Sequence, residues 1–392
     1  MHAIKIVGRI FDDAPVRIHA RRLQALWAAV QSLMEGGRLT LTALGRSMPS
    51  QARVKHSIKR VDRLLGNRLL HAQRVDLYRP VVSAVIGPKK RPVLLVDWSG
   101  VSDDGYYHTL RASVAMDGRA LSVYEEVHSL AQLGNRQVER NFLKVLKDLL
   151  PLDCCPIVVT DAGFRVPWCK QVHAFGWDWI TRIRSRTMVQ QQKRGPFEPC
   201  KTLWTQATTR ARCIEHVTVA KSNPIACRLC LVRGKKTGRV NRNKLGQPKR
   251  NHHSKLHHKA GQEPWVLATS LERTAANKIV RLYKLRMQIE QGFRDLKSPR
   301  FGFAMELHKT RCKKRLQILL LICTLATLAL WLLGRAAQHQ NLQRHFQANT
   351  EHSRHVLSAL SLGRMLLQHP RLCTFPLKRL LHILAEDIQV LS

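Results

Sequence analysis

Acidic residues are scarce in this chain of 392 residues: 26 Asp and Glu stand against 66 Lys and Arg, a formal net charge of +40. Such a surplus repels itself unless it meets a polyanion. Hydrophobic residues make up 44% and charged residues 23%, which excludes a disordered or collagen-like chain. The sequence therefore predicts a folded protein of two or three domains. Nucleic acid is its first expected partner, and an acidic membrane surface the second.

Cysteine is also sparse, with ten residues scattered along the chain. That number and spacing exclude a disulfide-stapled secreted scaffold. The first fifteen residues lack the apolar stretch of a secretory signal. We therefore expect free thiols in a reducing cytoplasm.

A zinc site is an alternative for two of the cysteines. Cys227 and Cys230 are followed by four histidines, namely His252, His253, His257 and His258. These ligand types suit Zn²⁺, but 21 residues between Cys230 and His252 exceed the usual finger spacing. A buried strand over 225–232 is the simpler interpretation. The segment that begins at Gly234 resembles a phosphate loop only superficially, because the first glycine is missing.

Long apolar runs are absent except at residues 318–333, which begin shortly after the basic residues 313–315. A membrane-spanning helix needs about 20 apolar residues, and this run of sixteen ends at Gly334 and Arg335. We expect a buried core helix. A membrane protein with a basic cytoplasmic domain is the alternative, because a basic flank beside an apolar run is typical of a span.

The first 88 residues predict a helical, basic region. Apolar residues recur at helical spacing over 19–35 and stop at Gly36 and Gly37. A short helix over 40–46, a break and a longer helix over 51–65 have the outline of a helix-turn-helix. A solvated basic helix of any bundle is the alternative. The residues expected to bind DNA ends are the cations of the longer helix: Arg53, Lys55, Lys59, Arg60 and Arg63.

From residue 91 the sequence alternates between strands and helices. Asp117-Gly118 is a strong hairpin signal between two alternating stretches. Three strands in a meander before the first crossover helix are the layout of a ribonuclease H-like sheet, in an α/β (α+β) fold. Strands are predicted over 93–98, 106–116, 119–127, 156–160 and 177–183, and helices over 135–150 and 166–175.

A basic insertion and a helical remainder follow. Residues 233–259 carry ten Lys and Arg and four His but no acid, which favours a loop along a phosphate backbone. One helix is predicted over 275–297. The expected domains are a helical DNA-binding domain (1–88), the first part of the catalytic core (89–185), a basic β-rich insertion (186–272), a core helix with Glu290 (273–300) and a helical region for dimerisation (301–392).

Three acids have the positions expected of a catalytic site. Asp97 and Asp161 each end a buried apolar run, and functional side chains gather at central strand ends of α/β sheets. In the helix over 275–297, Tyr283, Arg286, Glu290 and Lys297 fall within one ~60° stripe at about 100° per residue, with Met287 and Arg294 at its edge. A salt-bridged surface stripe is the alternative.

Asp97, Asp161 and Glu290 together could hold two Mg²⁺ ions through carboxylate oxygens, with Mn²⁺ as a substitute. Such ions activate water or a 3′-hydroxyl and stabilise the leaving oxygen in phosphoryl transfer. The neighbouring Tyr283, Arg286, Arg294 and Lys297 suit a bound phosphate.

The spacing Tyr283-(2)-Arg286-(3)-Glu290-(6)-Lys297 resembles the Tyr-Arg-Glu-Lys signature of bacterial insertion-sequence transposases of the IS-four family, in the DDE superfamily. The segments LVDWS around Asp97 and TDAGF around Asp161 resemble the first two acidic motifs of that family. The whole chain resembles its Tn-ten type, including LGRSMP, RVDRLLGN and HFQANT.

This resemblance implies cut-and-paste transposition through a DNA hairpin at terminal inverted repeats. It also implies a homodimer on paired transposon ends, capture of target DNA and a location on the bacterial nucleoid in the cytoplasm, without a membrane. Trp265 would receive a flipped base, and Met287 would wedge into the duplex. A catalytically inactive, sequence-specific DNA-binding protein is the alternative function.

Overall fold

The structure, a computed structural model, describes residues 4–12, 18–192, 195–234, 247, 263–348, 350, 356–372 and 375–387. The chain forms two compact units. The first comprises Met1–Cys154 and Met287–Ser392, and the second comprises Cys155–Arg286. Most of the basic segment 233–259, including the four histidines of the zinc alternative and most of the segment that begins at Gly234, lies outside the described residues.

The amino-terminal part of the first unit is helical, as the sequence predicts. Thr40 caps α3 by accepting a hydrogen bond from the backbone N–H of Ala43, and Asn67 caps α5 in the same way. The second helix of the predicted helix-turn-helix begins three residues later than expected. The helices are α1 Ile4–Asp12, α2 Ala20–Met34, α3 Leu41–Arg46, α4 Val54–Leu65, α5 Arg68–Gln73 and α6 Arg79–Ile86.

Helices α3 and α4 pack at a glycine. A Cβ atom at Gly45 would lie 2.6 Å from the Cα atom of Ile58, so only glycine permits this approach. Helix α4 buries Ser57, Val61 and Leu64. Its cations therefore lie on the remaining surface of the helix.

Three antiparallel strands follow in the first unit: β1 Val93–Gly100, β2 Tyr107–Ala115 and β3 Ala120–Ser129. The hairpin between β2 and β3 turns at Gly118, whose φ of +76° favours glycine. Helix α7, Arg136–Leu149, begins at the capping residue Asn135. The predicted meander and its crossover helix are confirmed.

The second unit contains a seven-stranded sheet in the order β4-β5-β10-β9-β8-β6-β7. Strands β4 and β5 are parallel and joined by helix α8, Val166–Ala174, and the other pairs are antiparallel. Helix α9, Ala276–Lys284, follows β10. The strands are β4 Ile157–Thr160, β5 Asp178–Arg182, β6 Met188–Gln190, β7 Glu198–Pro199, β8 Arg212–Val219, β9 Ile225–Val232 and β10 Trp265–Thr269.

The predicted single helix over 275–297 is wrong, because the chain forms two helices: α9 and α10, Met287–Lys297. At Leu285 and Arg286 the backbone N–H groups bond to carbonyls three residues back, those of Leu282 and Tyr283. This tighter turn ends α9. Of the predicted stripe, Tyr283 therefore lies on α9 and Glu290 on α10.

The apolar run lies within helix α11, Lys313–His339, in the first unit. In the described part of the chain it is the one helix long and apolar enough to cross a membrane. Within its most apolar stretch of 18 residues, 89% are buried. It packs against α1, α2, α4, β3 and the last two helices, α12 Ala359–Leu367 and α13 Leu377–Asp387. A Cβ atom at Gly334 or Gly363 would overlap the facing helix backbone. This burial is typical of a core helix in a soluble protein and confirms the expectation.

The expectation of free thiols is wrong for one pair. Cys213 on β8 and Cys230 on β9 form a disulfide. The two residues are direct cross-strand partners, which brings their Cα atoms within 4.1 Å. Since Cys230 is oxidised, it offers no thiolate for a zinc ion, and this contradicts the zinc alternative.

Candidate active site

Asp97 lies where strand β1 leaves the core. The four residues before it are buried, and burial decreases from Asp97 to the end of the strand. The Oδ1 atom of Asp97 accepts a hydrogen bond from the backbone N–H of Trp98 at 2.9 Å. This bond orients a half-buried carboxylate. The strand continues for three residues beyond Asp97, so the predicted strand end at this acid is the end of the buried part of β1.

Arg111 on β2 is the direct cross-strand partner of Asp97. It forms a buried ion pair with Glu125 at 2.8 Å, and Glu125 also accepts a hydrogen bond from Thr324 at 2.7 Å. The guanidinium of Arg111 lies 4.6 Å from the ring centroid of Phe293 on α10. A fixed cation thus joins the Asp97 region of the sheet to the helix that carries Glu290.

Helix α10 is anchored by the face opposite Glu290. The side chain of Gln288 bonds to both the backbone N–H and the carbonyl of Met116. Arg119 binds Asp295 at 2.9 Å and the side chain of Gln291 at 2.6 Å. At about 100° per residue, these three α10 residues point roughly away from Glu290. The half-buried Glu290 is therefore directed away from the hairpin.

Lys297 connects α10 to β1. Its Nζ donates a hydrogen bond to the Oγ of Ser99 at 2.7 Å, and Ser99 lies on the same face of β1 as Asp97 because side chains alternate along a strand. Burial lowers the pKa of Lys297; Glu306 and Asp97 oppose this shift and Arg111 adds to it. The first unit thus brings Lys297 into the electrostatic field of Asp97.

Asp161 is positioned within the second unit at the end of β4. Its Oδ1 accepts a hydrogen bond from the backbone N–H of Gly163 at 2.7 Å, and its carbonyl accepts one from Thr181 on β5 at 2.9 Å. A Cβ atom at residue 163 would lie 2.9 Å from the same Oδ1. A larger residue at position 163 would therefore displace the Asp161 carboxylate from this hydrogen bond.

Tyr283 is buried beside the other predicted residues of this unit. The ring of Trp265 contacts it edge-on, with centroids 5.0 Å apart and planes at 75°. Burial raises the pKa of Tyr283; Arg286 and Arg182 oppose the shift and the charge of Asp161 adds to it. Arg286 also bonds to the tyrosine hydroxyl. The second unit thus gathers Asp161, Trp265, Tyr283 and Arg286.

Sequence reasoning missed Arg182, the last residue of β5. Its charge opposes the rise of the pKa of Tyr283, and it forms an ion pair with Glu263 at 3.6 Å. Its only local signal is its position at the end of a predicted buried strand, because the pairing of β5 directly beside β4, the strand that precedes Asp161, is seen only in the structure.

The predicted metal ligands divide between the units: Asp97 and Glu290 belong to the first, and Asp161 to the second. Among the described residues, no group of three or more His, Cys, Asp and Glu side chains could hold a metal ion. The donor chemistry of the three acids nevertheless suits a divalent ion, because all are carboxylates and two are oriented by backbone hydrogen bonds.

Four of the five predicted end-binding cations lie on the surface of α4, and the fifth, Arg53, directly precedes the helix. Arg53, Lys55, Lys59 and Arg63 are exposed, and Arg60 is half-buried. The single acid of this helix, Asp62, pairs with Arg315 at 2.5 Å. This pairing neutralises the carboxylate and leaves α4 a positive surface.

Met287 and Arg294 are both exposed on α10. Met287, at 39% exposure, therefore has a side chain that a partner could reach.

Comparison with known families decides the class of this protein. A family model described as transposase DDE domain matches residues 88–328, more than half of the chain. The chain belongs to the DDE transposase family. A search of curated proteins gave no match.

Family membership confirms the α/β fold class, with a ribonuclease H-like core between helical flanks. It supports a transposition enzyme that acts on DNA, and it does not favour the alternative of an inactive DNA-binding protein. DDE transposases generally use divalent metal ions.

Proposed function

We propose that this DDE transposase moves an insertion sequence by cut and paste, with strand cleavage, hairpin formation and strand transfer at terminal inverted repeats. One observation supports the proposal most directly. The charge of each predicted catalytic aspartate raises the pKa of a member of the Tyr-Arg-Glu-Lys signature: Asp97 acts on Lys297, and Asp161 acts on Tyr283. Both predicted catalytic aspartates thus interact electrostatically with a residue of the signature.

Asp97, Asp161 and Glu290 would hold two Mg²⁺ ions, or Mn²⁺ in their place. When bound, such ions activate the attacking oxygen and stabilise the leaving one. Arg286, Lys297 and Arg294 would bind phosphates near the cleaved bond. Because burial raises the pKa of Tyr283, its hydroxyl stays protonated at neutral pH and can donate a hydrogen bond to a phosphate oxygen.

Trp265 would stack a base flipped out of the hairpin, and Met287 would wedge into the duplex. The half-buried Trp265 is held on one edge by Tyr283, which would keep its ring in one orientation for stacking. The contact of these two rings also couples base stacking to phosphate binding, because Tyr283 bonds to Arg286.

The cations of α4 would bind the transposon ends, within a DNA-binding domain of residues 1–88. The basic insertion 186–272 would contact the DNA backbone, and residues 301–392 would support a homodimer that pairs two ends. The resemblance to the Tn-ten type of the IS-four family supports a bacterial, nucleoid-associated enzyme.

The decisive experiment incubates purified protein and Mg²⁺ with DNA that carries the inverted repeats flanking its own gene, and looks for hairpin-ended fragments. Glu290→Ala should bind these ends normally by gel shift yet cleave at least about 10²-fold more slowly, the scale of losing one transition-state contact. Glu272→Ala, which removes an exposed carboxylate, is the matched control.

A merely structural Glu290 gives a different result. An ion pair of Glu290 at the protein surface is worth at most about 1 kcal/mol, so its loss would leave cleavage almost intact. Near-normal cleavage by Glu290→Ala would contradict the three-acid mechanism.

A further inference from the structure

An aromatic ring is exposed just beyond the helix that carries Glu290. Phe301 is 51% exposed, although it follows the end of α10 by only four residues. The guanidinium of Arg294 lies 5.2 Å from its ring centroid, and that of Arg300 lies 5.0 Å from it. Phe301 therefore serves as a common platform for two cations instead of packing in the core.

The loop that carries Phe301 is tightly held. The Phe301 N–H donates to the Oγ of Ser298 at 3.1 Å, and the next three backbone N–H groups bond back to carbonyls of Ser298 and Asp295. A Cβ atom at Gly302 would overlap the backbone of Asp295. This close return of the chain fixes the ring relative to α10.

The two arginines are exposed cations. In the parts of the chain that the structure describes, neither Arg294 nor Arg300 forms an ion pair within 4.0 Å. The neighbouring Asp295 pairs with Arg119, and the charge of Arg294 acts on this carboxylate only from a longer distance. Cation–π contacts hold a guanidinium in place while they leave its N–H donors available. Guanidinium groups arranged in this way fit phosphate oxygens.

We propose that Arg294, Arg300 and Phe301 form a clamp for the phosphodiester backbone of double-stranded DNA, with Phe301 as the positioning residue. Two guanidinium groups already lie against the ring, which hinders the stacking of a base. A phosphate can still bind, because it contacts the guanidinium N–H groups and not the ring. Arg294 follows Glu290 by one helical turn, about 6 Å along the axis. Since successive nucleotides of one strand rise by 3.4 Å, the clamp would bind phosphates within about two nucleotides of the cleaved bond.

This inference rests on the proposed function only for the location of the bound phosphates near the cleaved bond. Arg300 and Phe301 are additional residues, which the proposed function does not include. Its test measures binding, so it is independent of whether Glu290 acts in catalysis. Single phosphates around the cleavage site are replaced by neutral methylphosphonates, and the affinity of each duplex is measured for every variant.

For the wild-type protein, neutralising one or two phosphates near the cleavage site should reduce affinity about tenfold or more, the scale of a charge-assisted hydrogen bond. Arg294→Ala combined with Arg300→Ala should bind less tightly and become insensitive to those same replacements. Its salt slope should also fall by about one for each lost contact.

Variants of Phe301 test the positioning role without a change in charge. Phe301→Leu removes the ring but no charge, and should lose most of the sensitivity to those phosphates, while Phe301→Trp should retain it. Tyr106→Ala removes a tyrosine of the same 51% exposure and should behave like wild type. Unchanged phosphate sensitivity in Phe301→Leu would overturn the positioning role.

Sensitivity that persists in the double arginine variant would overturn the clamp itself. Quenching of a 2-aminopurine base by wild-type protein but not by Phe301→Leu would also overturn it, because the ring would then stack a base. Thermal unfolding identical to wild type shows that each variant is folded, as expected for exposed side chains.

Discussion

The Nζ of Lys297 donates a hydrogen bond to the Oγ of Ser99 at 2.7 Å, and this bond joins the helix that carries Glu290 to the strand that carries Asp97. Both acids thus belong to elements whose packing is fixed within one unit by a polar contact at its surface. Arg111 adds a second link, since it pairs with Glu125 on the sheet and stacks on Phe293 of the helix.

We predict that Lys297 controls the titration of His108. Burial lowers the pKa of His108, and the charge of Lys297 lowers it further. Lys297→Met should therefore raise the pKa of His108, measured by the NMR titration of its ring protons, while Lys314→Met, an exposed control, should not. An unchanged titration in Lys297→Met would refute the coupling.

The same histidine predicts an acid-dependent loss of stability. Because the unfolded chain binds the proton at the usual pKa near 6.5 and the folded chain only at a lower pH, protonation favours unfolding. Stability should fall as the pH drops through 6.5 towards the lowered pKa. Between pH 7 and pH 5, the melting temperature of the His108→Asn variant should fall by less than that of the wild type. Equal losses in both proteins would contradict the shift.

Trp265→Ala should permit the first nick but slow hairpin formation. Stacking of a base on an aromatic ring is worth about 1–3 kcal/mol, so the loss should be partial. Tyr283→Phe keeps the ring that contacts Trp265 but removes the hydroxyl that bonds to Arg286, and should slow the nick instead. Gel assays on hairpin intermediates distinguish the two. Loss of nicking together with a lowered melting temperature in Trp265→Ala would indicate a damaged fold rather than a stacking role.

End binding should depend steeply on salt, because it rests on phosphate contacts. Contacts to about 6–10 phosphates predict a loss of ~10³–10⁵ in affinity between 50 and 200 mM salt. Neutralising Arg53, Lys55, Lys59 and Arg60 together should lower both the affinity and the salt slope. The matched control neutralises four exposed cations of α7: Arg136, Arg140, Lys144 and Lys147. A larger loss of affinity in this control would indicate that end recognition does not depend mainly on α4.

The disulfide between Cys213 and Cys230 predicts a reductant-sensitive second unit. Thiol titration of the unfolded, unreduced protein should find two thiols fewer than the ten found after reduction. Reduction should destabilise the unit by about 3 kcal/mol, the scale for a loop of this length. Cys213→Ala should melt at the temperature of the reduced wild type. Ten thiols before reduction would mean that the pair is not oxidised.

Local sequence signals predicted much of the fold. Asp117-Gly118 fixed the hairpin because its turn needs a positive φ, and Thr40 and Asn135 marked helix starts with their side chains. The break after Lys284 was missed because Leu285 and Arg286 are good helix formers. No local signal opposes a continuous helix there.

The disulfide and Arg182 depend on strand register, which a single sequence does not reveal. Cys213 meets Cys230 only because β8 pairs with β9 in one alignment, which shifts between Ile214 and Val217. Arg182 joins the site because β5 lies beside β4. In contrast, Asp97, Asp161 and the signature were visible, because acids that follow apolar runs and a fixed spacing are local features.

The burial of α11 has a consequence for how the chain is made. Helices α1, α2 and α4 pack against a helix that starts only at Lys313, so their apolar faces emerge from the ribosome well before their partner does. At about 5–20 residues per second, the roughly 280 residues between α2 and α11 take about 15–60 seconds to synthesise. The amino-terminal helices must remain soluble during that interval, and a truncated chain that ends before Lys313 would leave them uncovered for good.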